Sequence, residues 1–142
     1  MNIKANLTGL LLNALVINSS CPPNTLAWTE TRLFFGRDIG DTGEVSPEQW
    51  RRFTIDEIIP RFGDGFTVLD ASGYWRGEGC KPKDVELSGG CEKTKLLLVQ
   101  YPPSEAADAK LNAIAKAYVE RFSQEAVMRS DSAVCTRFIT KE

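Results

Sequence analysis

The chain contains no histidine, and that absence alone removes much of ordinary enzyme chemistry. General acid–base catalysis near neutral pH falls most often to imidazole, because its unperturbed pKa lies there. A Ser–His–Asp or Cys–His site is excluded. Zinc and non-haem iron sites usually require an imidazole as well, so we expect no metal and no cofactor. Catalysis would have to come from Asp, Glu, Lys, Tyr or Cys with a perturbed pKa. The sequence also lacks a basic excess. Lys plus Arg is 17 against 19 for Asp plus Glu, a net charge of -2, which leaves nothing to neutralise a phosphate backbone and argues against nucleic acid as a partner. No apolar run is long enough to span a bilayer, and none of the four cysteines stands in a C-x-x-C pair, which removes the thioredoxin-like and zinc-knuckle readings.

What is present begins with a patterned N-terminus. Lys4 supplies a positive charge, Leu7 to Ile17 is mostly apolar, and small polar residues Asn18, Ser19 and Ser20 precede Cys21-Pro22-Pro23. That order is the secretory signal pattern, with cleavage expected after Ser19 or after Ala27. The prolines would break a buried cytosolic helix at this point. We therefore expect an exported protein, periplasmic or extracellular, with residues 1–20 as signal, 21–28 as linker and 29–139 as one domain. Cys21 is a poor lipoprotein cysteine, because Asn18 stands where a Leu is expected, so no lipid anchor is assigned. An even cysteine count in an exported chain reads as disulfides. Cys80 and Cys91 flank a Gly-, Pro- and Lys-containing excursion and are expected to pair, leaving Cys21 for Cys135.

Local patterns give the elements. Thr29 to Arg37 alternates and is rich in β-branched and aromatic residues, a strand. Asp38 to Val45 is a loop by its Gly and Asp content. Ser46-Pro47-Glu48-Gln49 combines an N-cap, a first-position proline and the third-position glutamine of a capping box. The helix it opens carries Trp50, Phe53, Ile58 and Phe62 and should end or kink at Pro60. Phe66 to Ala71 and Lys93 to Tyr101 read as strands, Ser104 caps a second helix, and Ala126 to Phe138 reads as the last strand. On the second helix Leu111, Ile114, Ala115, Tyr118 and Phe122 form one apolar face. The order β-α-β-β-α-β, with right-handed crossovers, predicts an α+β ferredoxin-like sandwich: a four-stranded antiparallel sheet with two helices on one face.

Three stretches carry a resemblance. Phe35-Gly36-Arg37 closes the first strand, Pro60 to Ala71 (PRFGDGFTVLDA) crosses from helix to strand, and Arg121 to Arg129 (RFSQEAVMR) precedes the last strand. With Trp75 they resemble the bacterial domain of unknown function 3574 family, small and often exported proteins, over nearly the whole chain beyond the signal. The resemblance implies one domain and export; it implies no activity. The segment from Cys80 to Cys91 reads as an insertion relative to that family.

The functional clue is Leu96-Leu97-Leu98-Val99, which puts apolar side chains on both faces of one strand. A sheet with helices on one face should alternate. Leu33 and Phe35 against Phe34 repeat the signal. Something is expected to cover the open face: a second copy, the inserted loop, or a small-molecule ligand. Polar candidates for that face are Arg32, Arg37, Asp70, Trp75, Arg76 and Arg129, since an arginine and a carboxylate beside an aromatic can hold a carboxylate or a polarised carbonyl. The plainer expectation for Asp70 is a turn or a cross-strand ion pair. Asp38 to Glu44 holds three acids but lacks the EF-hand ligand order. The sequence thus points to a non-catalytic binding or accessory domain acting as a homodimer through its open face. The alternative is a small histidine-independent enzyme of the dimeric α/β-barrel type built on Arg32, Asp70 and Trp75.

Overall fold

The structure, a computed structural model, describes residues 21–40, 43–74, 80–83, 85 and 91–141. The expected signal sequence, Trp75, Arg76 and most of the loop between Cys80 and Cys91 lie outside the described residues. The main sheet has four strands: β1 (Leu26–Gly36), β4 (Thr67–Gly73), β5 (Glu92–Tyr101) and β6 (Met128–Thr136). They run in the order β4-β5-β1-β6 with every neighbouring pair antiparallel. Two short strands, β2 (Asp38–Ile39) and β3 (Gly43–Glu44), make a small hairpin where a plain loop was expected. Strand β1 starts at Leu26, inside the expected linker, because Leu26 to Trp28 pair with Val134 to Thr136.

The first helical stretch opens as its sequence dictates. Ser46 accepts from the Gln49 amide while the Gln49 side chain accepts from the Ser46 amide, a complete capping box at the head of α1 (Pro47–Phe53). Pro60 neither ends nor breaks the helix. It has no N–H to donate, and the chain widens into a π turn over Thr54–Ile58, with the Ile59 N–H reaching the Thr54 carbonyl, before α2 (Ile59–Phe62) continues. The last helix, α3 (Glu105–Phe122), is capped by Ser104 and ends at Ser123 in the left-handed region, φ 50°.

Helices and sheet meet in one aromatic-rich core. Phe35, Phe53, Tyr118, Leu111, Ile114, Leu33 and Leu97 are fully buried. Phe35 and Tyr118 pack edge to face at 4.7 Å, and Phe53 lies 5.1 Å from Tyr118 and 6.0 Å from Phe122. Of the expected face of α3, Leu111, Ile114, Tyr118 and Phe122 are buried, with Ala107 at its start, and Ala115 is half-buried. Burial drives the Tyr118 phenol well above its ordinary pKa, so the hydroxyl stays protonated and donates to the Gly36 carbonyl at 2.8 Å. Two disulfides close the architecture. Cys21 bonds Cys135 across the β1–β6 end of the sheet, and Cys80 bonds Cys91 at the foot of β5. Among the described residues no helix is long and apolar enough to cross a membrane.

Candidate functional site

Register settles which side chains leave the core. Thr31, Leu33 and Phe35 on β1 face the helices, so Trp28, Glu30, Arg32 and Phe34 project from the opposite face. On β5, Leu97 and Val99 are buried, whereas Leu96 and Leu98 emerge beside Phe34 and Arg32. Leu69 of β4 pairs with Leu96, and Met128 of β6 pairs with Phe34. Leu69 and Met128 are 45% and 47% exposed. The two-sided apolar character read from Leu96 to Val99 is therefore present, and its outward half forms a strip of Phe34, Leu69, Leu96, Leu98 and Met128. Beside the strip is a polar group. Glu30 accepts from Gln100 at 2.8 Å and from Arg32 at 2.9 Å, and Thr136 donates to Gln100 at 3.1 Å. The hydrogen bond from Gln100 is the main reason the Glu30 carboxyl sits below its ordinary value.

The described arginine and aspartate candidates do not share this face, unlike the expectation. Of the described candidates only Arg32 lies on it, paired with Glu30. Arg37 is buried and spends its guanidinium on the β2–β3 hairpin, donating to the Val45 carbonyl at 2.9 Å and to Glu44 at 2.7 Å. Asp70 points to the helix side of β4 and forms an ion pair with Lys95, the cross-strand alternative. Arg129 also points to the helix side, clamping β6 to α3 through Asp108 at 2.7 Å and Asn112 at 2.8 Å, and it pairs with Asp131 of its own strand at 3.1 Å. The reason is parity: a strand's faces alternate residue by residue, and register between distant strands decides which set faces outward.

A cleft of about 630 Å³ opens at the end of the open face. Its floor is nearly free of side chains, because Gly36, Ala71 and Gly73 surround Thr94 and Glu92, and Phe34, Met128 and Tyr74 supply the apolar walls. Each of the two glycines leaves space that a neighbour occupies. A Cβ at Gly36 would lie 2.2 Å from the Glu92 carboxylate, and one at Gly73 would lie 2.7 Å from the Thr94 hydroxyl. The Glu92 carboxylate therefore rests on bare β1 backbone and accepts the Asp38 amide hydrogen at 3.2 Å. Burial, then the nearby Asp38 charge, push its carboxyl above the ordinary value, against that hydrogen bond. Asp38 is also raised, mainly by burial and then by Glu44, against Lys93 and Arg37. Sequence reasoning missed Glu92. Its only signal was Gly36 in the Phe-Gly-Arg stretch, whose missing side chain makes room for a partner far along the chain. A second groove, about 940 Å³, runs past Trp28, Phe62, Leu98 and Phe138 at the other end.

Fold and site together define a small disulfide-linked α+β domain with a ligand-sized cleft on a sheet face that no other described element covers. The chain belongs to the family described as protein of unknown function DUF3574, whose pattern matches residues 30–138. No curated protein matches the sequence. Among solved structures, a phage SAM lyase in complex with S-methyl-5'-thioadenosine superposes with a TM-score of 0.55 at 20% identity, covering 81% of this chain and 85% of that one. The apo form of a phage SAM lyase superposes with a TM-score of 0.55 at 17% identity, covering 82% of this chain and 94% of that one. At those identities the likeness is one of fold.

Proposed function

We propose that this protein is an exported ligand-binding domain that works through the open face of its sheet, as a homodimer, with the Gly36–Glu92 cleft as the ligand's entry. The cleft carries the reading. It has the size of a small-molecule site and the usual composition of one, apolar walls with few polar groups. Its glycine-rich floor accepts a flat ring against bare backbone. The shared fold of a lyase that holds S-methyl-5'-thioadenosine makes that nucleoside the first probe. The ferredoxin-like sandwich with right-handed crossovers is the arrangement we assign to the observed strand order. Two disulfides suit an oxidising compartment, and a periplasmic or extracellular location follows in this reading. A second copy covers the strip around Leu96 and Leu98, leaving the cleft at its edge.

Titration calorimetry with S-methyl-5'-thioadenosine tests the cleft: binding that disappears when Ala71→Trp fills the floor supports it, and no binding overturns it. Light scattering tests the dimer. The protein should run as a dimer, and Leu96→Glu, which puts a charge in the strip without touching the core face, should run as a folded monomer. A monomeric parent protein removes the dimer.

A catalytic reading has one observation in its favour: the raised Glu92 carboxyl holds its proton closer to neutral pH than an ordinary Glu, as a general acid or base must. Release of S-methyl-5'-thioadenosine from S-adenosylmethionine by the parent protein but not by Glu92→Gln would establish it; recovery of intact S-adenosylmethionine leaves binding alone.

A further inference from the structure

The carboxylate of Glu92 is half-buried, and among the described residues its one hydrogen-bond donor is the Asp38 amide. The described cations beside it on β5 and at the end of β1 are engaged elsewhere: Arg37 and Lys93 both bind Glu44, at 2.7 and 3.2 Å, and Lys95 binds Asp70. Among the described residues lining the cleft, Asp38, Glu92 and Glu125 are acids and none is Lys or Arg. A partly desolvated carboxylate is costly without a counter-ion, Glu92 has none among the described residues, and a bound cation would relieve that cost where it is greatest. The walls suit the rest of such a ligand, since the Phe34 and Tyr74 rings attract cations through their faces, and the Met128 thioether is soft and polarisable.

Building on the proposed use of this cleft as a ligand site, we infer that its ligand is a compact organic cation with a flat apolar body, and that Glu92 is the counter-ion that selects it over neutral analogues. Gly36 is part of the same device, because it holds the carboxylate at the floor of the cleft rather than in solvent.

The test is a matched pair of probes: S-methyl-5'-thioadenosine, which is neutral at sulfur, and the same nucleoside bearing one more methyl on sulfur, a dimethylsulfonium cation. On the parent protein the sulfonium should bind about tenfold more tightly, the effect of one modest ion pair in a half-buried site. Glu92→Gln, which keeps shape and hydrogen bonding, should bring the two affinities together. Gly36→Ala, which moves the carboxylate without removing it, should shrink the preference as well and guards against misfolding of the first variant. Equal affinities in the parent protein overturn the inference and leave the cleft standing as a site. A preference that survives Glu92→Gln overturns the role of Glu92. Failure of both probes to bind overturns the cleft reading and the inference with it.

Discussion

Glu92 owes its position to an atom that is missing from another strand. With a Cβ at Gly36 the carboxylate would have to leave, since the contact would be 2.2 Å. A carboxylate is the far end of a flexible side chain, so it can move. We expect Gly36→Ala to cost about 1 kcal/mol or less, the scale of one hydrogen bond, while returning the Glu92 titration to that of an ordinary glutamate. Carbon-detected NMR of the side-chain carboxyl would follow it. The same residue makes stability depend on pH. Because its folded pKa is raised, its contribution is complete below the unfolded value and is lost as pH rises through the folded one. Glu92→Gln should therefore gain on the parent protein between mildly acidic and neutral pH, and urea titrations at both would show the difference. None of this was legible at the level of residue type. Asp70 and Arg129 were candidates and Glu92 was not, and only the pairings of Asp70 with Lys95 and of Gly36 with Thr94 reverse that order.

Elements were far more legible than residues, because their signals are local. Ser46 and Ser104 sit at the N-caps where the sequence placed them, and the apolar stripe from Leu111 to Phe122 is the buried one. Pro60 was misleading for a definite reason. A proline's missing donor has two remedies, a helix end or a wider turn, and buried Ile58 on one side with Phe62 packed against the core on the other makes the wider turn worthwhile. The end of α3 shows what local pattern leaves out. Ser123 adopts φ 50°, a region where a side chain is strained and glycine is not. Ser123→Gly should raise stability by about 1 kcal/mol, visible as an upward shift of the thermal midpoint. A fall would mean that the Ser123 side chain does something at the cleft rim that its neighbours do not reveal.

At the scale of the whole molecule, a four-stranded antiparallel sheet with the last strand beside the first was legible because connection rules leave few arrangements, whereas the occupant of the open face was not. The two disulfides differ greatly in what they enclose, with sequence separations of 114 and 11. In the chain-entropy description, Cys21→Ser with Cys135→Ser should cost nearly 5 kcal/mol and Cys80→Ser with Cys91→Ser about 3 kcal/mol. Denaturant titrations of the two double variants would rank them, and the reverse order would show that strain or residual unfolded structure dominates. The long bridge has a mechanical side too. It joins the start of β1 to the end of β6, so a load applied outside residues 21 and 135 passes through sulfur and bypasses the β1–β6 ladder. In an optical trap the oxidised domain should hold its length until the bond itself is cut. Reduction would then let 114 residues pay out, a lengthening of up to about 400 Å. The bridge thus acts as a molecular tether under tension, and a reductant is its release.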